Sequence, residues 1–230
     1  MNKGIALLLT ALVLTFSACI PKNTETEGGS KTKNEGEIPL PTPSVSEIRV
    51  VLKEETDFQG HLERYSVIAQ TETKHGNYQR KDPQGVLLEE ADYDHGALNG
   101  NRVLYYPSRD TQIIETHANG IYEGLYKSFY EGNRVKLEGY YIDNKMSGLW
   151  YKYYEDGSLK EEVTFADNAA NGPFKEYHLN GQLAVTGSYL DGENEHGELK
   201  FYSEEGIHTR TMECNKGMCR TSWRLEDENL

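Results

Sequence analysis

The sequence predicts an all-β protein, an elongated single-layer antiparallel β-meander made of repeated hairpins. Three observations support this fold class. Most of the 22 Gly among the 230 residues recur at a fixed period, Gly and Asn mark turns, and the intervening segments are rich in aromatic and β-branched residues. The net charge of -13 makes DNA, RNA and anionic lipid headgroups poor ligands, so we expect no nucleic-acid partner.

The period rests on six anchor glycines, and we assign them as turn or anchor positions of the repeat. Successive anchors are 24 residues apart, with a final step of 25: Gly76, Gly100, Gly124, Gly148, Gly172 and Gly197. The position twenty residues after each anchor is always Gly or Asn, the residues that best tolerate a positive φ. In all, 17 of the 22 Gly fall on repeat positions, which assigns residues 74–224 to a repeat array.

Each unit is predicted to form two strands, and its first strand carries large apolar side chains on both faces. One set lies two residues after the anchor: Tyr78, Tyr126, Trp150, Phe174 and Leu199. A second set lies five residues after it: Tyr105, Phe129, Tyr153, Tyr177 and Tyr202. Because successive strand residues face opposite sides, we expect one set to line the packed face and the other to face away, unless a bulge intervenes. With a degenerate hairpin at 47–73, the chain should contain about fourteen strands, two in each of seven units.

The first residues are predicted to direct export and anchoring. Residues 1–18 combine a weakly basic start with a short apolar run, as in a signal peptide, and Phe16-Ser17-Ala18-Cys19 resembles a bacterial lipobox. Cys19 would then carry the lipid that attaches the protein to a membrane of the bacterial cell envelope, periplasmic or at the cell surface. The alternative is an ordinary signal peptide with Cys19 as a bystander. Residues 19–46 are predicted to be a disordered tether and 225–230 an acidic tail.

The other two cysteines flank the final turn of the array. Cys214 and Cys219 are an even pair in an exported chain, which favours a disulfide across a hairpin. Two free thiols or half of a metal site are the alternatives. Since the sequence contains no second Cys or His pair at zinc-like spacing, the disulfide is the prediction.

Two consecutive units carry a family resemblance. The segments from Gly148-Leu149-Trp150 to Gly157 and from Gly172-Pro173-Phe174 to Gly181 resemble bacterial MORN repeats. They are most similar to the MORN_2 variant in the YwqK family of toxin–antitoxin antitoxins. The resemblance implies a non-enzymatic sheet of hairpins that binds proteins or surfaces, and it raises the hypothesis of an exported immunity protein.

Catalytic chemistry is not predicted. The seven His residues show no ligand spacing with Cys or carboxylates, and the glycines are spaced as turns rather than as a phosphate-binding loop. We therefore predict no enzyme, no cofactor and no metal. Acidic loops such as 191–195 lack the alternation of a calcium site and are interpreted as solvated turns.

The candidate binding residues are aromatic side chains that recur along neighbouring strands, since Tyr and Trp are favoured at interfaces. They are Tyr106, Tyr126, Tyr130, Trp150 and Tyr154. We expect them to contact a protein partner, either a toxin or an envelope protein. Stacking on glycan or peptidoglycan is the second hypothesis. The third is that these rings only pack against one another as the core of the sheet.

Overall fold

The computed structural model describes residues 48–226, and these form one antiparallel sheet of sixteen strands. The predicted fold class is therefore confirmed. The signal peptide, Cys19, the tether and residues 227–230 of the acidic tail lie outside the described residues. The strands are β1 (Val50–Thr56), β2 (Leu62–Ile68), β3 (Lys74–Lys81), β4 (Leu87–Asp94), β5 (Ala97–Tyr105), β6 (Thr111–Ala118), β7 (Ile121–Phe129), β8 (Val135–Ile142), β9 (Lys145–Tyr153), β10 (Leu159–Ala166), β11 (Ala169–Tyr177), β12 (Leu183–Leu190), β13 (Asn194–Glu195), β14 (Gly197–Tyr202), β15 (His208–Asn215) and β16 (Met218–Arg224).

The strand order follows the chain order, and apart from the short strand β13 each strand pairs with the strands before and after it. The path runs β1 to β12 and then β14 to β16, while the two-residue strand β13 also pairs with β12. The predicted count of about fourteen strands is wrong for two reasons. The first strand of the last unit is divided into β13 and β14, and β16 follows the final turn as an additional strand.

The anchor glycines do not lie in the hairpin turns. They lie in the first strand of each unit, at a bulge in the first five units and at the start of β14 in the last, which corrects their assignment as turn positions. In β11, three residues between Ala170 and Phe174 face the single Thr164 of β10, and Gly172 is the middle one, with φ 117°. A Cβ on Gly172 would lie 3.3 Å from the Thr164 Cβ, so both the backbone and the close approach require glycine.

The large residues two positions after the anchors line a packed face, called here the ladder face. Their exposed fractions are low in most units: 5% for Tyr78, 2% for Trp150, 4% for Phe174 and 5% for Leu199. Their rings contact those of neighbouring strands. Trp150 lies 5.7 Å from Tyr126 and 5.2 Å from Tyr141 between ring centroids, and Phe174 stacks on Tyr189 at 4.3 Å. The ladder face is the hydrophobic core of a sheet that has no second layer.

Two glycines make room for the largest ladder side chains. A Cβ on Gly139 would lie 2.2 Å from Cδ2 of Trp150, and one on Gly187 would lie 2.7 Å from Cε1 of Phe174. Neither glycine has a left-handed φ, so their role is to leave space rather than to permit a turn. The indole therefore lies directly over the backbone of the neighbouring strand.

The disulfide is formed as predicted. Cys214 and Cys219 are direct cross-strand partners in β15 and β16, with Cα atoms 4.0 Å apart. Free thiols and half of a metal site are thereby excluded for this pair. The bond ties β16 to the array across the last turn, where only one neighbouring strand pairs with it.

We predict that Gly139→Ala lowers the free energy of unfolding by about 1–3 kcal/mol, because the added methyl overpacks Trp150. Urea denaturation measures the effect. If the alanine acted only by reducing the conformational entropy of the unfolded chain, it would instead raise the free energy of unfolding by about 0.4–1 kcal/mol. The matched control is Tyr140→Ala at the next residue, which is 57% exposed and should change stability by less than about 0.5 kcal/mol. Equal losses in the two variants would contradict the packing role of Gly139.

Candidate functional site

The five predicted binding aromatics do not form one surface. Tyr126 and Trp150 belong to the ladder face, where Trp150 is only 2% exposed. Tyr106, Tyr130 and Tyr154 follow the ends of β5, β7 and β9 directly and take part in contacts between units. The structure therefore separates the set into core rings and inter-unit contacts.

The three tyrosines that follow the strands form a hydroxyl clamp, a row of hydrogen bonds from each unit to the next. The hydroxyl of Tyr106 donates to the carbonyl of Phe129 at 2.9 Å, and that of Tyr130 donates to the carbonyl of Tyr153 at 3.0 Å. Tyr154 repeats the contact on Tyr177 at 2.9 Å. Each donor lies 23 residues before its acceptor, so the clamp advances by one unit at every step.

His178 is the clamp residue that the sequence analysis did not identify. It occupies the same position in its unit, six residues after an anchor, and its Nε2 lies 2.9 Å from the carbonyl oxygen of Tyr202. The repeat phase was the available signal, because Tyr106, Tyr130, Tyr154 and His178 are evenly spaced. In two units a lysine also covers the ring: Lys136 Nζ lies 5.5 Å from the ring centroid of Tyr130, and Lys160 Nζ lies 5.2 Å from that of Tyr154.

The face opposite the ladder carries a row of tyrosine–glutamate pairs. The hydroxyls of Tyr105, Tyr153 and Tyr177 donate to Glu90, Glu138 and Glu162 at 2.5, 2.6 and 2.6 Å. Burial and the bond to Glu138 raise the pKa of Tyr153 to about 12. Burial opposes ionisation of Glu138, but hydrogen bonds from Lys127 and Tyr153 outweigh it and lower the pKa of that carboxyl. The hydrogen bond thus favours the neutral tyrosine and the ionised glutamate, and neither pKa is shifted toward neutral pH, where a proton-transfer group would titrate.

A polar cluster interrupts the ladder face in the unit of Gly100. Here Arg102 replaces the large apolar residue, and it donates from Nε to Glu89 at 2.8 Å and from Nη1 to Glu115 at 3.2 Å. Burial opposes the charge of Arg102, but these bonds raise the pKa of its guanidinium. His117 lies 3.3 Å from Glu115 through Nε2 and packs on the Tyr122 ring at 4.5 Å between centroids. Glu89 and Glu115 are both buried, so loss of Arg102 would leave two buried carboxylates without the cation that they share.

An apolar groove, the Trp150 groove, opens on the ladder face of β7 to β10. Its volume is about 430 Å³. Its lining combines the buried side chains of Val163 and Trp150 with the charged residues Lys136, Lys152 and Glu161. The full set of lining residues is Ser128, Lys136, Leu137, Met146, Trp150, Lys152, Glu161, Val163 and Phe165. An apolar centre with polar groups beside it is the anatomy of a protein-binding patch.

Among the described residues, one group of His and carboxylate side chains converges as metal ligands do, although the sequence analysis predicted none. His75, Asp94 and His95 hold ligand atoms that all lie within 4.8 Å of one another. Their spacing in sequence does not resemble a metal motif. They meet because of the strand register of the repeat. The residue before an anchor glycine lies beside the turn residue that follows that glycine by nineteen positions.

We predict that Tyr130→Phe lowers the free energy of unfolding by about 0.5–1.5 kcal/mol, because the carbonyl of Tyr153 loses its hydroxyl donor in a partly buried place. Chemical denaturation measures the change. Tyr140→Phe removes a hydroxyl from a residue that is 57% exposed and should leave stability within about 0.5 kcal/mol of the unchanged protein. If the clamp did not contribute to stability, the two variants would have the same free energy of unfolding.

Comparison with known proteins identifies the repeat type. Two segments, 146–167 and 170–191, match the family model described as MORN repeat variant. They coincide with β9–β10 and β11–β12, so each match covers one hairpin. No curated protein matches the chain. Among residues 48–226, no helix has the length and hydropathy of a membrane span. Two adjacent hairpins of the sheet are therefore similar to MORN repeats of this variant.

Proposed function

We propose that this chain is an exported, lipid-anchored bacterial protein whose repeat sheet binds a protein partner without catalysis. The observation that carries the proposal is the Trp150 groove, a mainly apolar groove of about 430 Å³ that is lined by the first matched repeat and the hairpin before it. MORN repeats are a binding architecture, which supports a binding role over an enzymatic one.

The groove is suited to anchoring side chains of another protein. Leu137, Met146 and Phe165 are half-buried and line it with flexible or flat apolar surface. The thioether of Met adapts to irregular apolar shapes. Lys152 and Glu161 lie 3.8 Å apart between Nζ and Oε2 in the same lining, so a partner can exchange charged contacts there. Binding would bury the apolar floor and leave these charges at the edge of the interface.

The glycan hypothesis receives less support from the geometry. Sugar rings stack on an aromatic face that is free on one side, whereas Trp150 is 2% exposed and is enclosed by Tyr126, Tyr141 and Phe165. The hydroxyls of Tyr106, Tyr130 and Tyr154 are already engaged in the clamp. Binding to glycan or peptidoglycan therefore serves as an alternative outcome of the experiment.

A toxin or an envelope protein is the proposed class of partner. The resemblance to antitoxins of the YwqK family favours a toxin, and the export signal would place such an immunity protein outside the cytoplasm. A toxin gene beside this one, with sensitivity after deletion of the present gene, would support immunity. A free-standing gene whose deletion causes no sensitivity would leave an envelope protein as the partner.

We predict that a photo-crosslinking amino acid at Lys152 yields one defined protein adduct in cells, and that the same amino acid at Lys175 does not. Both are first-strand lysines with similar side-chain exposure, 47% and 50%, but Lys152 lines the groove and Lys175 lies on the opposite face. Mass spectrometry of the adducts identifies the partner. Equal yields at the two positions, or no adduct at either, would contradict the groove as the binding site. Retention on isolated peptidoglycan without a protein adduct would support the glycan alternative.

We predict that Cys19→Ser moves the protein from the membrane fraction to the soluble exported fraction, because the thiol that carries the lipid is lost. Fractionation and the mass of the N-terminal peptide measure the outcome. Cys214→Ser with Cys219→Ser removes the other two cysteines and should leave the protein in the membrane fraction. Membrane attachment that persists in Cys19→Ser would contradict lipidation at this residue.

A further inference from the structure

Three potential metal ligands meet at the hairpin that joins β4 to β5. His75 lies in β3, Asp94 is the last residue of β4, and His95 follows it in the turn. Oδ1 of Asp94 lies 3.1 Å from Nδ1 of His75 and 2.6 Å from Nδ1 of His95. The two imidazole rings meet edge to face, with centroids 5.2 Å apart.

The sheet register creates this meeting. Gly76 pairs with Tyr93, which places His75 beside Asp94, and the N–H of Gly96 donates to the carbonyl of Lys74 at 2.7 Å, which holds the turn against β3. The same adjacency recurs in later units with other side chains. The N–H of Asn119 donates to Oδ1 of Asn99 at 3.2 Å, and that of Asp143 donates to Oε2 of Glu123 at 2.7 Å. The position is therefore a fixed feature of the repeat.

The unit of Gly76 departs from its neighbour at all three positions. In the next unit the equivalent residues are Asn99, Ala118 and Asn119, which provide no imidazole and no carboxylate. His95 also has φ 47° at a turn position where the following units carry Asn, Asp or Lys. Histidine is among the few non-glycine residues enriched in this left-handed region, so the turn accepts a ligand here without losing its conformation.

Two imidazole nitrogens and one carboxylate oxygen are a donor set for a divalent transition metal. Zinc binds such atoms at about 2.0–2.2 Å, which separates the ligands of a tetrahedral site by roughly 3.3 Å. The observed separations of 3.1 and 2.6 Å to Asp94 are shorter than this value, so the two imidazole rings would move slightly away from the carboxylate to admit an ion. The side chains of His75, Asp94 and His95 are 27%, 44% and 62% exposed, so water or a partner residue can complete the coordination. Calcium and magnesium are disfavoured because they require mainly oxygen ligands.

We propose that His75, Asp94 and His95 bind one divalent transition-metal ion of the zinc class and thereby link β3 to the β4–β5 turn. The site lies at a hairpin turn of the unit of Gly76, and none of its three residues lines the Trp150 groove. It is independent of the proposed protein-binding function. Occupancy would stabilise the N-terminal part of the array by joining two strands through the metal.

The test is a calorimetric titration of the full chain with zinc chloride. We expect one high-affinity Zn²⁺ per chain and a rise in melting temperature with zinc. The combined variant His75→Asn, Asp94→Ala and His95→Asn copies the next unit, so it should fold and should lose both effects. Loss of an outer-shell partner alone weakens metal binding about 10- to 100-fold, so the single ligand variant His75→Asn should weaken it at least about tenfold.

The matched control is His196→Asn. His196 precedes the anchor Gly197 as His75 precedes Gly76, but the turn of its unit carries Asn215 and Lys216 in place of Asp94 and His95. Zinc affinity should be unchanged in this control. Absence of zinc binding in the unchanged protein, or equal binding in the combined variant, would overturn the proposal. Calcium chloride in place of zinc should give no binding at this site.

Discussion

A sheet with a single layer must bury its apolar face with its own side chains, and the rest of this structure depends on that constraint. In four of the six units, a large aromatic ring two residues after the anchor packs against the neighbouring strand. The fit is closest where Trp150 lies over Gly139 and Phe174 lies over Gly187. Each ring is enclosed by residues of adjacent hairpins, so no unit has a complete core alone. Stability is thus shared between neighbours, as in other repeat proteins.

The backbone is organised to keep that packing in register. Bulges at the anchor glycines twist the first strands of the units. In the units of Gly100, Gly124 and Gly148, the hydroxyl clamp ties the end of the first strand to the following unit. The disulfide between Cys214 and Cys219 closes the last hairpin, where β16 has one neighbouring strand. Aromatic side chains therefore perform two structural tasks, ring packing on one face and hydrogen bonding at the strand ends. This division explains why aromatic abundance alone is a poor indicator of a binding surface.

Individual units of the sheet carry side chains that the other units lack. Arg102 and His117 substitute a polar cluster for the apolar ladder, and His75, Asp94 and His95 bring ligand atoms to a turn that elsewhere carries amides and carboxylates. The Trp150 groove arises within otherwise regular units, where Lys136 and Lys152 lie beside an apolar floor. Binding to a protein and binding to a metal would consequently use different units of one sheet.

The sequence by itself determined the fold class, the repeat period and the disulfide, because turn residues and alternating apolar positions are local signals. It also placed Tyr78, Trp150, Phe174 and Leu199 on one face, since strand alternation follows from spacing. Only the tertiary structure determined which residues of different strands lie opposite or in contact with each other. The anchor glycines lie in bulges rather than turns, because strand pairing sets how many residues face each other. Tyr106, Tyr130 and Tyr154 contact carbonyls one unit away, and His75 meets Asp94 and His95, because only cross-strand register brings residues nineteen or more positions apart into contact.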